Sequence, residues 1–111
     1  MQDMRSITEL SELEALPGLV FYLFSTPSCG VCQSLKLKLP RWSHDRLSTS
    51  QCYYIDLTIF PQASAQYQVL SVPTLLTFLD GQELSRQVRH INLSLLKEQL
   101  SRPVKLWQES Y

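Results

Sequence analysis

The stretch TPSCGVCQSL, from Thr26 to Leu35, holds two cysteines three positions apart, Cys29 and Cys32. Such a pair can clamp a metal, lock a structural disulfide, or shuttle electrons as a dithiol. A structural zinc site needs about four ligands, commonly from a second CxxC or a histidine pair. Beyond the first pair the chain offers Cys52, His44 and His90, and none is spaced as a second ligand pair. No metal is therefore expected. Three cysteines in a reducing compartment do not make a disulfide scaffold, and a close CxxC pair there is more often redox-active or metal-binding than structural.

The elements around the cysteines explain what the pair gains from its place. Leu19-Val-Phe-Tyr-Leu-Phe24 is a continuous apolar run of strand length, suited to a strand covered on both faces. Leu35, Leu39 and Trp42, with Leu47 as a further position, suit a helix that begins near Cys29 and fades by His44. Pro40 should kink that helix. The first turn of a helix presents free N–H groups and the positive end of the helix dipole. A thiol there has an electrostatic reason to ionise, and such pKa values can fall from about 8.5 to roughly 3.5–7.5. Cys29 sits at that point and Cys32 one turn deeper, so both sulfurs share one side of the helix. This arrangement suits a nucleophile, Cys29, and a resolving partner, Cys32.

Further elements follow in alternation. Ile7, Leu10, Leu13 and Leu16 recur at helical spacing, with Ser6 and Glu9 placed as a capping box and Pro17-Gly18 as the stop. Gln51-Cys-Tyr-Tyr-Ile-Asp-Leu57 reads as a second buried strand, with Cys52 a small core hydrophobe and Asp56 a turn former. Residues 61–68 suit a short helix with Pro61 near its first turn. Thr74–Leu79 and Glu83–Arg89 flank Asp80-Gly81, a strong hairpin signal. Asn92 is a fair N-cap for a last helix through Leu100, with Ile91 and Leu96 as a staple, and Pro103 should stop it. With room for a short strand before Ser6, the pattern predicts an α/β fold: a mixed sheet of four to five strands flanked by helices on both faces. Residues 1–102 form the expected domain, and 103–111 a tail whose Trp107 and Tyr111 either fold back or meet a partner.

Whole-chain properties narrow the function classes. At 111 residues the chain fits one domain. Ten basic and ten acidic side chains cancel, with no long run of one sign, which argues against nucleic-acid and anionic-membrane partners. No stretch has signal-peptide character or approaches transmembrane length. The chain as given is expected in the cytoplasm.

Two landmarks together carry a resemblance that runs along nearly the full length. FYLFSTPSCGVC resembles the strand and active-site turn of the thioredoxin family, whose hallmark is CGPC. YQVLSVPTLLTFLDGQEL, from Tyr67 to Leu84, is similar to the family stretch that holds a cis-proline and the following hairpin. The spacing from Cys32 to Pro73 matches without a gap. The resemblance implies a thioredoxin fold, a cis Val72-Pro73 bond, and Pro73 facing Cys29, where it denies ligands to a metal. The Val72 backbone would offer edge hydrogen bonds to an extended client, beside Gly30 and Val31. It also implies protein-disulfide clients, recycling by a thioredoxin reductase, and no bound cofactor.

Departures from the family pattern bear on mechanism. The family's tryptophan before the first cysteine is Ser28, its buried aspartate falls at Leu23, and the neighbouring lysine at Tyr54. Leu23 and Tyr54 are expected to make that pocket apolar, so Cys32 loses a built-in base and holds its proton more readily. Losing both charges together strands neither in the core. Val31 replaces a proline between the cysteines. Arg89 and His90 replace small residues in the loop near the site, and Arg89 is a candidate for stabilising the Cys29 thiolate or selecting acidic clients. Two other readings stay open: a partner-docking module with slow redox chemistry, and metal carriage.

Overall fold

The computed structural model describes residues 4–13, 16–46 and 50–110, without the side chains of Asp45, Arg46 and Ser110. The apolar run after Gly18 forms β2 (Leu19–Ser25), and all seven of its residues are buried. It lies at the centre because both of its faces are apolar. On one side it pairs in parallel with β3 (Gln51–Asp56), which in turn pairs in parallel with β1 (Arg5–Ser6). On the other it pairs antiparallel with β4 (Thr74–Leu79), followed by β5 (Gln82–Val88), also antiparallel. The order is β1-β3-β2-β4-β5, a five-stranded mixed sheet.

Strand periodicity divides the core into two layers. Val20, Tyr22, Phe24 and Ile55 face α2 (Gln62–Tyr67) and pack with Ala63 and Val69. Phe21, Leu23 and Tyr54 point the other way, toward Leu35 and Leu39 of α1 (Gly30–Arg46) and Leu96, Leu100 and Val104 of α3 (Leu93–Ser110). Helices therefore cover both faces, as the sequence pattern predicts.

Local signals placed several boundaries. Asp80 and Gly81 both have positive φ, 48° and 85°, as a two-residue hairpin of the mirror-image type requires. Asn92 caps α3, its Oδ1 accepting the Leu95 N–H at 3.0 Å. Asp56 closes β3 by accepting the Thr58 N–H and hydroxyl at 2.8 and 2.6 Å.

Three expectations are corrected. The N-terminal segment is a 3-10 turn, Leu10–Leu13, and Ser6 lies in β1 rather than capping a helix. The capping carboxylate is Glu12, which accepts the Thr8 N–H at 2.6 Å and the Glu9 N–H at 2.8 Å. The backbone N–H of Glu9, then the Thr8 contacts, hold its carboxyl below the usual range. Pro40 lies inside α1, which runs two residues past His44. Leu47 and Tyr111 fall outside the described residues.

The third correction concerns Pro103, which lies inside α3 instead of ending it. An interior proline costs about 3 kcal/mol by removing a hydrogen bond and crowding the carbonyl four residues back, here Gln99. Anchors beyond it offset that cost. Val104 is buried against the sheet, and the Trp107 Nε1–H donates to Asp80 Oδ2 at 2.7 Å. Asp80 Oδ1 meanwhile accepts the Gly18 N–H at 2.6 Å. The last helical turns thus clamp the hairpin to the start of β2. Replacing Trp107 by Phe keeps an aromatic ring, smaller than the indole, and deletes the donor. Urea unfolding of W107F should show about 1 kcal/mol less stability, whereas an unchanged midpoint would remove this contact from the account.

Candidate active site

β2 stops at Ser25, and the chain turns through Pro27 and Ser28 before α1 begins at Gly30. The Cys29 N–H donates to Thr26 O at 3.1 Å, and Cys29 O accepts the Gln33 N–H at 3.2 Å, its first helical bond. Cys29 is therefore the N-cap residue of α1. Its sulfur takes the place of a capping oxygen: Cys29 Sγ accepts the Cys32 N–H at 3.2 Å. Cys29 and Cys32 are joined as a disulfide, with Cα atoms 5.2 Å apart. Cys29 is partly exposed, while Cys32 is fully buried. One sulfur faces solvent and the other lies behind it.

The expected neighbours gather at this end of the sheet. Thr74 pairs with Phe24 in the antiparallel register, so Val72-Pro73 enters β4 level with the point where β2 leaves the sheet for the cysteine turn. The Val72-Pro73 bond is cis. Pro73 O accepts the Arg89 N–H at 2.7 Å, which ties the loop after β5 to the proline. Arg89 itself has φ 67°, in the left-handed region, which costs a non-glycine residue about 1–2 kcal/mol. That conformation brings its N–H onto Pro73 and leaves its side chain exposed. Gly30 and Val31 are exposed beside Cys29, and Val72 is half-buried.

Of the two residues expected to make an apolar pocket, Leu23 and Tyr54, one departs from expectation. Leu23 is fully buried and apolar, as its sequence position implies. Tyr54 is not merely a wall. Its hydroxyl accepts from Ser25 Oγ at 3.1 Å and from Gln33 Nε2 at 3.1 Å. The Lys36 ammonium sits 4.4 Å from the centre of its ring, a cation–π contact. A neutral hydrogen-bonded network thus stands where the family carries an ion pair. It leaves no buried charge to compensate.

Val31 is exposed at 58%, as its place beside the cysteines implied. Three other residues at this end of the sheet had no sequence signal that we used: Ile59, Leu70 and Val88 are apolar and exposed, Leu70 almost completely at 96%. Ile59 reaches this end because the Leu57 N–H donates to Ser25 O at 2.9 Å. Isolated large aliphatics in otherwise polar loops were the available clue. Cys52 lies apart from the site, buried beside the Ser43 hydroxyl at 3.3 Å, and burial pushes its thiol up. Among the described residues, no group of three or more metal-ligating side chains is gathered in one place.

A half-exposed cysteine that caps a helix and is bonded to a buried one defines a thiol–disulfide redox protein. Comparison with known proteins agrees. The Thioredoxin family profile matches residues 9–102. Thioredoxin-like protein YdfQ of Bacillus subtilis is 26% identical over 111 residues, covering 95% of this chain and 98% of that one. Thioredoxin of Chlamydia trachomatis is 35% identical over 71 residues, 64% of this chain and 69% of its own. In structure, mitochondrial thioredoxin 3 of Saccharomyces cerevisiae superposes with a TM-score of 0.73 at 18% identity, covering 86% of this chain and 91% of that one. The chain belongs to the thioredoxin family, and its kind of activity is thiol–disulfide oxidoreduction.

After reduction, iodoacetamide at neutral pH should label Cys29 first. Cys32 and Cys52 should react at least tenfold more slowly until denaturant is added, as peptide mapping would read. Equal labelling of Cys29 and Cys32 would contradict the division into an accessible and a shielded sulfur.

Proposed function

We propose that this chain exchanges electrons with disulfides of other proteins, with Cys29 as nucleophile and Cys32 as the resolving thiol. The observation that carries this reading is the Cys32 N–H capping Cys29 Sγ, with one sulfur accessible and the other buried. The same donor and the helix dipole would favour a thiolate at Cys29 in the reduced state.

In the reducing direction the Cys29 thiolate attacks one client sulfur, and the client's S–S bond breaks. A mixed disulfide forms with the attacked sulfur, and the other client sulfur leaves as a thiolate that takes a proton from water. Cys32 then gives its proton to water and attacks Cys29 Sγ. The attacked client sulfur departs as a thiolate, and the Cys29–Cys32 disulfide closes. Two electrons have passed to the client, and a thioredoxin reductase would restore them, with no cofactor resident in this chain. An extended client segment would lie along the Val72 backbone, over Gly30, Val31 and Pro73. The exposed aliphatics Ile59, Leu70 and Val88 would give it apolar contact, and Arg89 would favour negative charge nearby. Work on cytoplasmic clients fits the reducing environment that recycling requires.

One observation favours a docking module with slow redox chemistry as the second reading. Leu23 places only carbon where the family has a carboxylate beside the resolving thiol, and Tyr54 supplies a weak acid in place of the lysine. Insulin reduction driven by dithiothreitol separates the two. The native chain should exceed its Cys29→Ser variant by at least tenfold, and equal rates would select the docking module. Arg89 can be tested at the same site. R89A should raise the apparent alkylation pKa of Cys29, and an unmoved value would end its thiolate-stabilising role.

A further inference from the structure

Between α1 and α3 runs a groove of about 820 Å³ whose lining includes Leu35, Lys38, Trp42, Leu93 and Lys97. It adjoins a second hollow of about 220 Å³ that shares Trp42, Lys97 and Ser101 and adds Leu100, Val104 and Lys105. The floor is aliphatic, with Leu35, Leu100 and Val104 belonging to the core. Trp42 forms a fixed apolar wall, its ring meeting Phe21 edge-on at 5.9 Å. The rim is cationic. Lys38, Lys97 and Lys105 are exposed, and none has an ion-pair or hydrogen-bond partner among the described residues. Among the described residues, Glu98 is the one acidic side chain lining either hollow.

Along the chain the groove begins about one helical turn from the redox site. Its lining includes Ile91 and Asn92, two and three residues past Arg89, and Leu35, three residues past Cys32. Three unpaired ammonium groups above an aliphatic floor are complementary to a polypeptide carrying carboxylates next to apolar side chains. Nucleic acid fits less well, because a single ring offers no series of stacking platforms and the aliphatic floor would meet no apolar group.

We propose that the α1–α3 groove binds an acidic, apolar-bearing segment of the client polypeptide, outside the segment that carries the disulfide. The identity of the occupant as a client rests on the oxidoreductase reading above. Binding itself needs no cysteine. Carboxylates would pair with Lys38, Lys97 and Lys105 while leucine or phenylalanine side chains pack on Trp42 and the floor. Clients with such a flank would be held longer at Cys29 than those without it.

The test uses the full-length oxidised chain and a fluorescein-labelled, cysteine-free decapeptide that alternates glutamate with leucine and phenylalanine. Fluorescence anisotropy should show saturable binding that weakens with added salt. K38E/K97E should bind it at least tenfold more weakly and bind the lysine-for-glutamate counterpart at least tenfold better than the native chain does. That gain shows the variant is folded. An unchanged affinity for the acidic peptide would overturn the proposal. So would equal competition by an oligothymidylate of matched charge, which would mark a general polyanion surface. Because the readout involves no sulfur exchange, its failure would leave the insulin result standing, and the reverse also holds.

Discussion

The first turn of α1 has to find an acceptor for the N–H of Cys32, and it finds the sulfur of Cys29. Helix N-termini usually satisfy such donors with oxygen from Ser, Thr, Asp or Asn. Here the cap is the reactive atom, so the geometry that completes the helix also aims a positive field at that sulfur. The rest of the fold holds this junction in place. β2 is wholly buried at the centre of the sheet, and Leu35 and Leu39 of α1 pack against Phe21 and Leu23 from it. The antiparallel register of β4 then brings Pro73 to the same end of the sheet.

At the two positions where the family carries a carboxylate and an ammonium, this chain has Leu23 and a Tyr54 hydroxyl shared with Ser25 and Gln33. A tyrosine hydroxyl is a weaker base than a carboxylate. In the exchange proposed above, deprotonation of Cys32 would therefore depend more on the mixed disulfide and on solvent. On the outer side, Arg89 occupies a left-handed conformation where glycine is easier, and its N–H holds the Pro73 carbonyl.

Much of the site was legible because its signals are local. CGVC after an apolar run, a proline 41 positions beyond Cys32 by their numbers, Asp80-Gly81 and Asn92 each specify backbone within a few residues. What the sequence concealed depends on distant partners. Pro103 reads as a stop until Trp107 is seen anchored on Asp80, 27 residues away. Tyr54 reads as an apolar replacement until Gln33 reaches its hydroxyl across 21 residues. The Ser6–Glu9 spacing fits a capping box equally well, but pairing of Ser6 with Tyr54 in the sheet takes that residue into β1 and leaves capping to Glu12. The α1–α3 groove has no sequence signature, because its lysines converge only when the two helices lie side by side.

The cap favours negative charge on one sulfur, Cys29. The ultraviolet thiolate absorbance of a Cys32→Ser, Cys52→Ala variant, titrated with pH so that Cys29 alone contributes, reads this directly. Its midpoint should lie below the ordinary thiol value of about 8.5 and return to that value on unfolding in urea. A midpoint at or above that value in the folded protein would mean that the helix terminus does not activate Cys29.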